Sequence, residues 1–451
     1  MSSNQYKNGI FSERLPAGEY DGNFSDMHPP LDAHEALVAS DRCYFCYDAP
    51  CISACPTEID IPMFIRQIAV GDVVGSAKTI FDQNIMGGMC ARVCPTETLC
   101  ESACVREAAE GKPVQIGLLQ RYATDRVIDA GKQLYQRAAA TGKTIAIIGA
   151  GPAGLACAHG LARHGHNVVI YEAQEKAGGL NEYGIAAYKT TDHFAQKEID
   201  YISAIGGIKI EYNTRLGRDI TQDELRQKYD GVFLAMGLGG VNALAIPGSD
   251  AEGVDDAVSF IAQLRQSKQL SALPIGRRVV VIGGGMTAID AAVQSKLLGA
   301  EEVTLCYRNT RQHMKASVYE QEFAAAKGVL VRCQLQPQEI LTDDHGKVRG
   351  LVLEYTEDKN GKLVGNGNST TIVADQIFKA IGQTLVTAGV DGVKTKNGKV
   401  IIDGSGRTSL PNVWAGGDCA VGGDDLTVSA VAMGRDAAVA IHQTLTTAHK
   451  Q

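Results

Sequence analysis

The sequence predicts an α/β protein in which a small all-helical, cysteine-rich N-terminal domain precedes two dinucleotide-binding folds of Rossmann type. Three observations predict it. Eight of the twelve cysteines fall between Cys43 and Cys104. A strand, glycine turn, helix and second strand begin at Lys143, and the same succession begins again at Gly276. The other four cysteines are scattered, so the crowding belongs to the N-terminal stretch alone.

The composition narrows the function classes. With 451 residues, 45% of them hydrophobic and 21% charged, the chain has the make-up of a globular protein long enough for several cored domains. A formal net charge of −8 leaves no basic face for nucleic acid. No apolar run reaches bilayer length, and the opening MSSNQYKNGI lacks a basic-then-apolar signal, so the expected setting is a reducing cytoplasm without membrane contact. There, thiols bind metal or react instead of forming disulfides.

Residues 1–30, polar and rich in Gly, Pro and Asn, read as an extended arm, and Leu31 to Ala39 as a helix. The cysteines then stand as Cys43-x2-Cys46-x4-Cys51-x3-Cys55-Pro56 and Cys90-x3-Cys94-Pro95-x4-Cys100-x3-Cys104. Thiolates this dense, with proline after the last of a run, are the pattern of iron–sulfur ligation, in which the last cysteine of a run can serve a neighbouring cluster. Two 4Fe–4S clusters are expected. Between and after the runs, Ile61–Phe81 and Val114–Ala130 read as helices, followed by a linker to Thr141. A reading of another class, a zinc-bearing interaction module on a degenerate flavoprotein, needs paired C-x2-C knuckles, and only Cys43 and Cys46 have that spacing.

At Lys143 the character changes. In KTIAIIGAGPAGLACAHGLARHGHNVVIYEA, Gly149, Gly151 and Gly154 form the fingerprint, with Pro152 and Ala153 opening the helix. Gly149 permits the tight turn, Gly151 the approach of a pyrophosphate, and Gly154 close helix–strand packing; Glu172, ending the next strand, suits a ribose hydroxyl. The second unit, RRVVVIGGGMTAIDAAVQSKLLGAEEVTLCYR, has Gly283, Gly285 and Ala288 at those positions, with Thr287 beside them. Its strand ends in Tyr307 and Arg308 instead of an acid. The two fingerprints lie about 134 residues apart, which suggests two dinucleotide sites facing one another. Near the C-terminus Gly417 and Asp418 follow a short apolar strand, and a helix opening near Thr427 and Val428 can aim its N-terminal amides at an electron-rich ring.

GAGPAG with Glu172, the turn Gly178-Gly179-Leu180, the strand end Ala235-Met236-Gly237, the GGG unit and Gly417-Asp418 are laid out as in two-dinucleotide flavoproteins. With the cysteine domain attached, residues 31–445 resemble the glutamate synthase small subunit and the N-terminal half of dihydropyrimidine dehydrogenase. The resemblance implies FAD on the first fingerprint, with Asp418 on its ribityl chain, and NAD(P)H on the second. It implies a helical domain with two 4Fe–4S clusters over residues 1–140, an FAD domain in two parts at 141–258 and 385–451, and a nucleotide domain at 259–384 between them. It also implies a ligand set: Cys43, Cys46, Cys51 and Cys104 for one cluster, and Cys55, Cys94, Cys100 and Gln120 for the other, with Cys90 spare. Gln120, sixteen residues after Cys104, stands where dihydropyrimidine dehydrogenase has its glutamine ligand and where glutamate synthase small subunits tend to have glutamate.

With no barrel-sized remainder before Gln451, the arrangement looks like the bacterial one, in which a separate FMN- and iron–sulfur-containing barrel subunit binds the pyrimidine. The resemblance then implies an electron-transfer subunit of a hetero-oligomer that interconverts uracil or thymine and their 5,6-dihydro forms. Electrons would run from NAD(P)H through FAD and the clusters to that partner. FAD is needed there because a hydride carries two electrons and a cluster takes one. No general acid, base or nucleophile is called for in this chain, and Cys157, Cys306, Cys333 and Cys419 read as core thiols. After the second unit come Arg308, Arg311 and Lys315, cations that suit the NADP phosphate; the bacterial relatives nevertheless make NAD(H) the expected nucleotide. Met286 stands where relatives have aspartate, and Gly184-Ile185-Ala186 where they have glycine-isoleucine-proline. The alternative inside the family is a glutamate synthase small subunit or a related NAD(P)H:ferredoxin-type oxidoreductase.

Overall fold

The computed structural model describes residues 4–447, which divide into two compact units. One comprises residues 28–182, 192–240 and 384–447; the other comprises 4–27, 183–191 and 241–383.

In the larger unit the chain begins with short helices whose starts are fixed by their own side chains. Asp32 and Glu35 form a capping box on Ala33–Ser40, and Asp60 and Asp72 accept the free N–H groups opening Ile61–Ala69 and Val73–Gln83. Ile61, Phe64, Ile65 and Ile68 fall on one buried face of the second of these, at the spacing of a helix packed on its neighbours. A five-stranded parallel sheet follows, in the order Val413–Ala415, Gly231–Leu234, Thr144–Ile148, Asn167–Tyr171, Ile208–Glu211. Its central strands are apolar throughout because both faces are covered. The helices Pro152–Arg163 and Thr427–Thr447 cross at Gly434, where an added Cβ would lie 2.1 Å from the Ala153 carbonyl oxygen. Only glycine allows that approach. Arg435 on the same C-terminal helix donates to the carbonyls of Thr57 and Gln83, tying it to the cysteine-bearing helices.

The smaller unit holds a second parallel sheet, ordered Val329–Cys333, Glu302–Tyr307, Arg278–Ile282, Gln376–Lys379, Val254–Asp256. A three-stranded antiparallel sheet, Leu335–Thr342, Val348–Lys359 and Lys362–Val373, buries Leu351 and Leu353 in a core shared with Val280 and Ile377.

The N-terminal arm departs from expectation. It is part of the smaller unit: Ile10–Phe11 pairs antiparallel with Ile275–Gly276, and Glu19–Asn23 is helical. Arg14 is fully buried, and its guanidinium donates to the carbonyls of Ile275, Asn4, Gln5, Lys7 and Gly9. Five backbone carbonyls gather around one buried cation, which composition alone does not reveal.

Candidate functional site

The cysteines of the larger unit surround two adjoining cavities. Cys43, Cys46, Cys51 and Cys104 line one. Cys55, Cys90, Cys94, Cys100 and Gln120 line the other. Ile61 belongs to both walls.

Local structure aims these donors. Phe45 adopts a left-handed backbone, φ 53°, and its N–H points at the Cys43 sulfur from 3.4 Å. Cys94 ends the helix Gly87–Val93 and turns out of it before Pro95, while Cys104 opens Val105–Glu110. Gln120 lies on Ile116–Asp129 and donates its amide N–H to the Gly87 carbonyl at 2.6 Å, so its carbonyl oxygen is left for the cavity.

The electrostatics call for a cation. Burial, then the neighbouring Cys104 and Cys43 sulfurs, pushes the Cys51 thiol up to about 12. Burial, with Glu101 and then Cys55, raises Cys100. Thiols crowded in a low dielectric do not ionise together unless metal charge offsets their repulsion. Among the described residues no three His, Cys, Asp or Glu side chains converge as they would on a single ion. Four or five donors ring each cavity instead, a donor set that fits an iron–sulfur cluster.

The first fingerprint sits in the same unit. Gly149 has φ 98°, and a Cβ there would meet the Ala235 carbonyl oxygen at 2.4 Å. Gly151 differs: a Cβ would meet nothing closer than the Gly179 Cα at 3.8 Å, so the surface over it is open, as a pyrophosphate needs. Pro152 and Ala153 start the helix, and Gly154 lies against the Gly149 carbonyl. Gly417 packs on Ala153. Leu180, next to Gly179, is partly exposed. Glu172 accepts the N–H groups of Ala150 and Gln174, both at 2.8 Å, one on each oxygen. A carboxylate has further lone pairs for a ribose hydroxyl. Asp418, by contrast, has no hydrogen-bond partner among the described residues, and burial, with Asp425 adding to it, raises it to about 6. A half-buried acid lacking donors fits a hydroxylated chain.

Thr427 and Val428 open the C-terminal helix of this unit, as the sequence suggests. Thr427 donates its hydroxyl to Asn181 at 2.8 Å, and Val428 forms part of the second cysteine cavity. The start of the C-terminal helix is thus also a wall of that cavity. Sequence reasoning missed Glu198. It is fully buried on Phe194–Ser203 and accepts the N–H groups of Gly88 and Met89 at 2.8 and 3.1 Å, while its other oxygen is unpartnered. Burial outweighs these bonds and raises it to about 8.

The second fingerprint belongs to the smaller unit. Gly283, Gly285, Thr287 and Ala288 form the turn and first coil of Met286–Leu297, and the space over Gly285 is open. Tyr307 packs its ring on Gly284 and bonds the His313 carbonyl at 2.8 Å. Arg308 and Lys315 are exposed; Arg311 donates to Gln321 at 2.9 Å. The departure at 184–186 is anchored by residues that carry no motif. Asp290 accepts from the Ala186 N–H and the Tyr188 hydroxyl, and Lys189 lies 2.8 Å from both Asp290 and Glu320.

The profile of the family described as pyridine nucleotide-disulphide oxidoreductase matches residues 143–434. The chain belongs to that family. A second profile, described as dihydropyrimidine dehydrogenase domain II, 4Fe-4S cluster, matches residues 20–132. The chain is 34% identical over 422 residues to the NAD-dependent dihydropyrimidine dehydrogenase subunit PreT of Escherichia coli K12, covering 93% of this chain and 97% of the relative. It is 33% identical over 443 residues to the glutamate synthase [NADPH] small chain of the same organism, covering 92% of each. The expected resemblance is therefore borne out. Among solved structures, FprA from Mycobacterium tuberculosis superposes with TM-score 0.58 at 21% identity, over 68% of this chain and 86% of that one, a likeness of fold. The protein is a flavin oxidoreductase that uses FAD, NAD(P) and 4Fe–4S. No helix among the described residues is long and apolar enough to cross a membrane.

Proposed function

We propose that this chain is the electron-input subunit of a dihydropyrimidine dehydrogenase, passing electrons between NAD(P)H and a partner subunit that contains FMN and iron–sulfur centres and interconverts uracil or thymine and their 5,6-dihydro forms. Bound FAD supplies the exchange between a two-electron nicotinamide and one-electron iron–sulfur clusters. In this reading Gly149, Gly151, Pro152, Ala153, Gly154, Glu172, Gly179, Leu180, Gly417, Asp418 and Thr427 seat the flavin nucleotide, and Gly283, Gly285, Thr287 and Ala288 the nicotinamide nucleotide. Cys43, Cys46, Cys51 and Cys104 hold one cluster, and Cys55, Cys94, Cys100 and Gln120 the other.

The observation that carries the choice of branch is Gln120. Identity to the two E. coli relatives is almost equal, so overall similarity does not choose between them. Gln120 is only 7% exposed, lines the second cavity, and has its amide N–H engaged by Gly87, which orients a neutral oxygen donor inward. A glutamate at this position would bring a negative charge among thiolates. The wall residue Val428 and the shared Ile61 make the two cavities and the start of the C-terminal helix one contiguous tract. The tract reaches the surface at Tyr44, and Tyr47 nearby in the chain is wholly exposed; we take these as the face toward the partner.

The nucleotide we propose is NAD(H), as in the PreT name. Arg308 and Lys315 are the side chains that would favour a 2′-phosphate, and faster turnover with NADPH than with NADH at equal concentration would reverse this choice. The function is tested by supplying NADH and uracil to the chain combined with its FMN partner. Dihydrouracil formation supports the reading, whereas glutamate formation with a glutamine-hydrolysing partner replaces it.

A further inference from the structure

The second cavity presents one donor more than a cluster needs. A 4Fe–4S cluster has four irons and takes four terminal ligands, yet Cys55, Cys90, Cys94, Cys100 and Gln120 all face the same space. Cys90 is 2% exposed, so it cannot be a solvent-facing bystander. It lies one helical turn before Cys94, whose N–H bonds the Cys90 carbonyl at 3.0 Å, and residues at that spacing project from the same face.

The helix carrying them is held at its first turn from two sides. Gln120 binds the Gly87 carbonyl, and Glu198 binds the N–H groups of Gly88 and Met89. The backbone that carries Cys90 is therefore held from two sides beside Cys94.

We infer that Cys90 is a positioning residue for the second cluster: its neutral thiol donates a hydrogen bond to the Cys94 sulfur and raises the potential at which that cluster takes an electron. Such a bond draws electron density from the ligating sulfur and stabilises the reduced cluster, which carries one more negative charge. The inference rests on the iron–sulfur reading of the second cavity and extends it to a residue outside the proposed ligand set.

The test uses the full-length protein isolated anaerobically with its cofactors, as parent, Cys90→Ser and Cys90→Ala. Iron and acid-labile sulfide are measured first, then the midpoint potentials by EPR-monitored titration. We expect equal iron and sulfide in all three, a potential near the parent's for Cys90→Ser, whose hydroxyl can still donate, and a lower one for Cys90→Ala. Should Cys90→Ala not fold, Cys90→Val, closer in volume, serves for the same measurement. Unchanged potential in the variant lacking a donor overturns the inference, as does an equal drop in Cys90→Ser, which would mark a packing effect. Loss of one cluster's iron would make Cys90 a ligand and overturn it too. A parent protein without labile sulfide would overturn the underlying reading as well, and is thereby distinguishable.

Discussion

The side-chain amide of Gln120 donates to the carbonyl of Gly87 at 2.6 Å, across 33 residues of chain. That bond fixes which end of the amide faces the cysteines, because the nitrogen is engaged and the oxygen is not. Gln120→Leu, close in volume, removes both. The variant is expected to keep its FAD and to lose or alter one cluster, read as iron content and EPR signal. A spectrum identical to the parent's would remove Gln120 from the ligand set.

Two glycines of one fingerprint should respond differently to substitution. Over Gly151 the protein leaves room for a side chain, so Gly151→Val should fold and fail to retain FAD. At Gly149 a methyl group would strike the Ala235 carbonyl and the backbone is left-handed, so Gly149→Ala should lower thermal stability itself, by roughly 1–3 kcal/mol or more. Flavin absorbance and melting temperature together separate the two effects. Full FAD occupancy in Gly151→Val would contradict the site.

Glu198 should make stability depend on pH in the direction opposite to a surface carboxylate. Its folded value, about 8, stands above the unfolded 4.5, so between those pH values the native state keeps a proton that the unfolded chain releases. Stability contributed by this group therefore falls as pH rises from about 4.5 to about 8. Glu198→Gln keeps an oxygen acceptor for Gly88 and Met89 and removes the titration. The variant should gain on the order of a few kcal/mol over the parent near pH 8 and little at pH 5. Parallel melting curves across that range would show that Glu198 does not carry the proton.

In the smaller unit, Lys189 is the cation between Asp290 and Glu320, all three well buried. Removing one member of such a group strands the others, a cost of about 3–5 kcal/mol. Lys189→Met should lower the calorimetric transition of this unit, and Lys189→Arg should restore part of it. An unchanged transition would mean that the two carboxylates are neutralised in some other way.

What the sequence made legible follows its local signals. Cysteine spacing and the two glycine fingerprints are short-range patterns, and each announces its chemistry within a short stretch of chain. The position of Val428 in the wall of the second cavity depends on a helix that returns from the far end of the chain, and no spacing rule reaches that far. Glu198 and Lys189 were silent for a related reason. A buried acid and a buried lysine look like ordinary helix-surface and loop charges until the partners that surround them are known. Arg14 shows the same limit: a polar, glycine-rich arm reads as loose until five carbonyls are found around one guanidinium.

The most direct test is to isolate the chain anaerobically from its own cells at native levels, with whatever accompanies it, and to supply NADH and uracil. The account predicts co-isolation of an FMN- and iron–sulfur-containing subunit and formation of dihydrouracil that stops when either protein is removed. Co-isolation of a glutamine-hydrolysing subunit, with glutamate formed from 2-oxoglutarate and no dihydrouracil, would contradict it.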